Sequence, residues 1–153
     1  MSPFPALFDS GFASGMTRYA DHYPGQYDTA RIVVLISLAG LPPIEAVVDT
    51  GAPWCILDPS VAELVDEIAH DAGAQSQALQ TRWGTVEGRL HRVTIRLLAE
   101  EGNSLEFETT VLVPVLPPGA IWDRPNFIGL NNFLNRIRFA VDPNENVFYF
   151  GLA

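Results

Sequence analysis

The sequence predicts an all-β domain with one or two short helices. Twelve Pro and twelve Gly are spread through 153 residues, which supplies turns for many short strands. Val, Ile and Leu gather in runs such as IVVLI at 32–36, long enough for a buried strand and far too short to span a bilayer. Val93, Ile95 and Leu97 alternate with Thr94 and Arg96, a period of two that places one face of a strand inward. With 48% apolar and 18% charged residues, the chain has the composition of a folded domain, and its length fits one domain with a substantial core.

In order along the chain, residues 1–30 show no steady period and are rich in Pro, Gly, Ser and aromatics. They are expected to form an extended or partly ordered arm. The domain proper is expected over 31–153. RIVVLISL at 31–38 reads as a mostly buried strand, and AGLPP turns the chain. IEAVVD at 44–49 is a second strand that delivers Asp49 to its end, and WCIL at 54–57 a third. Asp58-Pro59 opens a helix, Asp as N-cap and Pro at the first helical position. Val61, Leu64, Val65 and Ile68 then share one apolar face, and His70 to Gly73 end it. Residues 79–98 read as two strands around GTVEG, and EEGNS at 100–104 as a turn. LEFETTVLVPVL at 105–116 is a further strand whose Pro favours an edge or an end. After the loop PPGAIWDRP, NFIGL leads into a short helix NNFLNRI, DPNEN turns, and VFYFGL at 147–152 is the last strand.

Charge and composition exclude several functions. The net charge is −9, against the basic stripe that a nucleic-acid binder needs and against an anionic membrane surface as partner. All nine basic residues are Arg, so lysine-dependent phosphate loops, Schiff bases and Ser–Lys dyads are excluded. Cys55 is the one cysteine, which excludes an intrachain disulfide and a Cys-rich zinc site. His22, His70 and His91 lack metal-ligand spacing, and no Gly-x-Ser-x-Gly occurs. No basic segment followed by an apolar one opens the chain, so a soluble, cytoplasmic protein is the expectation.

The chemistry centres on VVDTGA at 47–52, where a lone carboxylate stands between two apolar runs. Such an Asp is costly unless it is paired or working. Further on comes NFIGLNNFL at 126–134, two apolar residues and a Gly before a short helix. The two stretches, in this order and with a hairpin between them, resemble the two signatures of the retropepsin-like (retroviral-type) aspartic peptidases, and the resemblance covers roughly residues 31–152. It implies a closed-barrel-like acid-protease fold and a homodimer with Asp49 of each copy on the two-fold axis, since one chain carries one such motif. Two carboxylates that close cannot both ionise, so they share a proton and activate a water.

By the same resemblance Asp49 is catalytic, the Thr50 hydroxyl locks the two turns together, and Gly51 lets backbone pass close to substrate. Ile128, Gly129 and Leu130 form the supporting loop. The hairpin at Trp83, Gly84 and Val86 occupies the place of a flap. Ala52, Trp54, Gly84, Val86 and Phe127, with Ile128, Gly129 and Leu130 of that loop, are candidate substrate contacts, giving an apolar cleft for a peptide or protein substrate. No metal or organic cofactor is needed.

The chain departs from the family at Pro53 and Leu130, where retroviral members place an acidic residue and an Arg that together support the dimer. VFYFGL or the arm is then expected to hold the two copies together. Phe4-Pro5 and Tyr23-Pro24 are junctions of a type that retroviral-like peptidases often cleave, which makes the arm a candidate prosegment. Asp9-Ser10-Gly11 resembles a variant motif, but no apolar strand precedes it, and it reads as a polar turn. Cys55 reads as a small buried hydrophobe. Two other functions fit the same residues. One is a non-catalytic peptide-binding or dimerisation module on the same fold. The other is an unrelated β-domain in which Asp49 is a turn residue.

Overall fold

The computed structural model describes residues 4–71, 74–82 and 84–153. A helix α1 (Phe4–Asp9) and strand β1 (Gly15–Arg18) precede β2 (Val33–Leu38), β3 (Ile44–Val48) and β4 (Cys55–Ile56). Helices α2 (Pro59–Ala62) and α3 (Asp66–Ala69) follow. Next come β5 (Gln75–Thr81), β6 (Gly84–Leu97), β7 (Glu101–Gly102) and β8 (Leu105–Pro114). Last are β9 (Phe127–Ile128), a 3-10 turn at Leu134–Arg136, β10 (Ile137–Asp142) and β11 (Val147–Leu152). The chain is mostly β with few short helices, as composition predicts. Among the described residues no helix is long and apolar enough to cross a membrane.

The larger sheet has the order β2-β3-β9-β4-β8-β6-β5, and β2 also pairs with β6 through Ile36–Leu97 and Leu38–Ile95. The hydrogen-bonded circuit therefore returns to its first strand. The alternation in β6 does what its period requires: Val93, Ile95 and Leu97 point into the main core with Val34, Ile36 and Leu38 of β2. Each such buried side chain contributes roughly 1.5–3 kcal/mol relative to exposure. Pro114 is the last residue of β8, the end position that its missing N–H favours.

The helical segment differs from expectation. Asp58 is the N-cap, its Oδ1 accepting from Ser60 N at 2.9 Å, and Pro59 is the first helical residue. The helix then breaks at Glu63–Val65, because Val65 is extended (φ −100°, ψ 111°). The break rotates Leu64 away from the apolar face, and it is 66% exposed. Ala72 and Gly73, expected at the helix end, lie outside the described residues.

The hairpin also turns earlier than expected. Thr81 pairs with Gly84, so the chain turns just after Thr81; Trp83 is outside the described residues. Gly84 has φ +109°, a value that favours Gly. Gly88 is not a tip glycine: it pairs with Pro114, and a Cβ there would lie 2.6 Å from Val113 O. Two glycines imitated a turn where one serves close packing.

The first thirty residues are the largest difference. In place of a loosely ordered arm, β1 pairs with β11 over Gly15–Phe150 to Arg18–Val147, and with β7 on its other side. The smaller sheet runs β10-β11-β1-β7. Hence β11 is an inner strand, paired along both edges over Val147–Phe150. The segment before residue 31 looked irregular because its partner lies at the far end of the chain, where no local pattern records it.

Candidate active site

Asp49 follows the last residue of β3. Its main-chain N–H donates to Ile128 O at 3.0 Å, and its own carbonyl accepts from Ala52 N at 3.2 Å, closing the turn. The carboxylate Oδ1 accepts from Gly51 N at 2.9 Å. This Asx-type bond fixes the side chain at a turn, and Asp49 stays half-buried while Thr50 and Gly51 are exposed. A Cβ on Gly51 would lie 3.2 Å from that Oδ1, so a larger residue would crowd the carboxylate.

A second loop braces the first. β3 and β9 are parallel, Val48 beside Ile128. Beyond β9, Leu130 N donates to Ala52 O at 2.8 Å and Asn131 N to Pro53 O at 2.9 Å. Gly129 N lies 3.4 Å from Cys55 Sγ, to which it donates. A Cβ at Gly129 would stand 2.1 Å from Trp54 O and 2.9 Å from Ala52 O. The two loops therefore cross backbone against backbone, and only Gly fits the crossing. Cys55 is buried in this crossing, and burial pushes its thiol up to about 12. It is a neutral acceptor, inert at ordinary pH.

Beside Asp49 lies an open cleft of about 220 Å³. Ile56, Leu79 and Phe127 give it an apolar wall, and Arg31, Gln80 and Arg82 a polar one. Gly51 and Ala52 line it beside Asp49. Ala52 and Phe127 thus lie where the sequence expects cleft contacts. Ile128, Gly129 and Leu130 stand behind the Asp49 turn and hold it. Val86 pairs with Leu79 and packs, with Trp54, against the cluster formed by Val33, Val47, Ile56, Leu79, Leu112 and Phe127. Trp54 also borders a separate recess with Asp71, His91 and Thr110. Gly84 opens β6.

Arg31, Leu79 and Arg82 are cleft residues that motif reading misses. Arg31 had a signal. Val33 pairs with Val47 in the antiparallel β2–β3 ladder, and Val48 N donates to Ile32 O at 2.9 Å. Continuing that register puts Arg31 beside Asp49. Asp9 ends α1, where Ser10 Oγ donates to Leu7 O and Gly11 has φ +77°. Asp9-Ser10-Gly11 is thus the end of a helix. Among the described residues no group of three or more His, Cys, Asp or Glu is arranged to hold a metal ion.

No protein-family model matches the sequence, and no curated protein matches it. Solved structures do. The chain is similar to EIAV protease complexed with the inhibitor HBY-793, at 19% identity over 71% of this chain and 86% of that one, with a TM-score of 0.45. It is also similar to a retropepsin-like aspartic protease from Rickettsia conorii, at 16% identity over 91% of this chain and 93% of that one, with a TM-score of 0.49.

Proposed function

We infer that the chain is an aspartic endopeptidase that works as a two-fold homodimer, with one Asp49 carboxylate from each copy sharing a proton. The observation that carries this is the setting of Asp49. Its carboxylate is fixed by Gly51 N at 2.9 Å, borders an open cleft, and rides on a turn braced by the loop at Gly129. A carboxylate held rigidly at a cleft, instead of being spent on an ion pair, is arranged for proton transfer.

The ionised carboxylate takes a proton from water, and the water oxygen bonds to the substrate carbonyl carbon. The protonated carboxylate donates to the carbonyl oxygen. The tetrahedral centre then collapses: the C–N bond breaks as the nitrogen takes a proton, leaving a new carboxyl and a new amine. Thr50, exposed on the turn, would meet its counterpart across the axis. No metal or organic cofactor enters these steps.

The test is cleavage of a mixed peptide pool, read by mass spectrometry from acidic to neutral pH, with wild type and Asp49→Asn in parallel. Wild type should cut and Asp49→Asn should lose roughly four or more orders of magnitude in rate, while its thermal unfolding stays close to wild type. Sedimentation should give a dimer at the working concentration. A dimeric wild type that binds peptides and cuts none would leave a binding module on this fold. A strictly monomeric one would leave Asp49 a turn residue.

A further inference from the structure

The polar wall of the cleft is unlike the rest of the molecule. The chain carries −9 overall, yet the charged residues lining this cleft are Arg31, Arg82 and one carboxylate, Asp49. Arg31 stands out among the arginines. Arg18 and Arg92 are paired with Glu100 and Glu108. Arg136 and Arg138 donate to Glu108 O and Gly11 O. The Nε of Arg31 is buried and has no hydrogen-bond partner among the described residues.

A buried donor without an acceptor is disfavoured, more so on a charged group. Arg31 borders two recesses, and the second holds Asp21. Asp21 is engaged, its Oδ1 2.6 Å from His22 Nδ1. Asp49 is held by Gly51 N. The cleft is thus lined, beside the proposed reacting carboxylate, by one guanidinium whose buried Nε has no partner among the described residues and by a second from Arg82. A guanidinium fits a carboxylate in two-point geometry.

We propose that Arg31, assisted by Arg82, forms a specificity subsite that takes an acidic side chain of the substrate, within about two residues of the bond to be cut. The inference rests on reading this cleft as the substrate cleft of a peptidase, and it replaces the apolar preference expected from the sequence. The apolar wall of Ile56, Leu79 and Phe127 carries the methylene stem of a Glu or Asp, and the guanidinium takes its charged end.

The test uses matched peptides that differ by Glu against Gln, or Asp against Asn, at each position around one cleaved bond. At about pH 6, wild type should cut the acidic member about tenfold or more faster in kcat/KM at one position. That preference should fade as pH falls through about 4, where the peptide carboxylate gains a proton. Arg31→Gln should abolish the preference, and Arg31→Glu should turn it towards Arg or Lys at the same position. Arg82→Gln should weaken it.

Cleavage with no acidic preference at any position overturns the subsite and leaves the peptidase reading intact. So does a preference that Arg31→Gln leaves unchanged, or an Arg31→Gln protein that sediments as a monomer where wild type is dimeric. If an Arg31 variant does not fold, the pH dependence of wild type on the matched pair decides alone. Binding separates the two readings. Fluorescence anisotropy with labelled matched peptides on Asp49→Asn needs no cutting. A wild type that cuts nothing ends the peptidase reading; tighter binding of the acidic member would still uphold the subsite, and equal binding would overturn it.

Discussion

Gly129 leaves no room for a side chain, because a Cβ there would stand 2.1 Å from Trp54 O, which is backbone and cannot swing aside. Gly129→Ala should therefore cost about 3 kcal/mol of stability, read as a fall in the urea midpoint with little change in slope. A variant as stable as wild type would show that the two loops are not locked at this point. Cys55 allows a second check. Its thiol is pushed from 9.0 up to about 12 by burial, so the folded chain keeps its proton after the unfolded chain has lost it. The stabilisation is complete below pH 9.0 and disappears as pH rises from 9.0 towards about 12. Cys55→Ala should flatten that part of the stability–pH curve relative to wild type, as followed by chemical denaturation. An unchanged curve would mean that alkaline loss comes from elsewhere. Gly129 and Asp49 sit in motifs that sequence alone exposes, since a glycine after two apolar residues and a turn Asp carry their reason locally. Arg31 does not. Its meaning comes from standing across a ladder from Asp49, and no spacing along the chain shows that.

Strands follow the same division. β3, β6 and β8 were legible from alternation and apolar runs, and α2 from its Asp58-Pro59 start. β1, β7 and β10 were not, because each is short or mixed and is made a strand by its partner. β10, six residues of which four are half-buried, lies between a 3-10 turn and the Asp142 turn, and the helix expected over NNFLNRI ends at its first residue, Ile137. The dependence of β11 on β1 yields a prediction. Deleting residues up to Tyr23 removes β1 and strips Ala13 and Met16 from the cluster with Val147 and Tyr149. Burying each of those larger side chains is worth roughly 1.5–3 kcal/mol, so the truncated chain should unfold at a lower temperature or aggregate through the bared edge of β11. Autocleavage at Tyr23-Pro24 that left a stable, active protein would show the opposite, and intact mass after long incubation would report it.

For the whole molecule, the proposed homodimer would bring together two copies each of net charge −9. Like charges of that size oppose association, and salt screens them within about 10 Å at 0.1 M. Dimer formation should therefore tighten as salt is added, which sedimentation at graded ionic strength measures. Weakening with salt would instead point to an interface held by ion pairs. The placement of β1 has a further consequence, in time instead of space. Its partner in β11 is made roughly 130 residues later, a separation that slows folding. At about 5–20 residues per second of synthesis, β1 waits on the order of ten seconds on the ribosome. For much of that interval Met16 and its neighbours lack the long ladder with β11, and the two-residue pairing with β7 is all that is yet available. β1 is made long before β11 and completes its sheet only afterwards, so a chaperone that shields it in the meantime would favour folding.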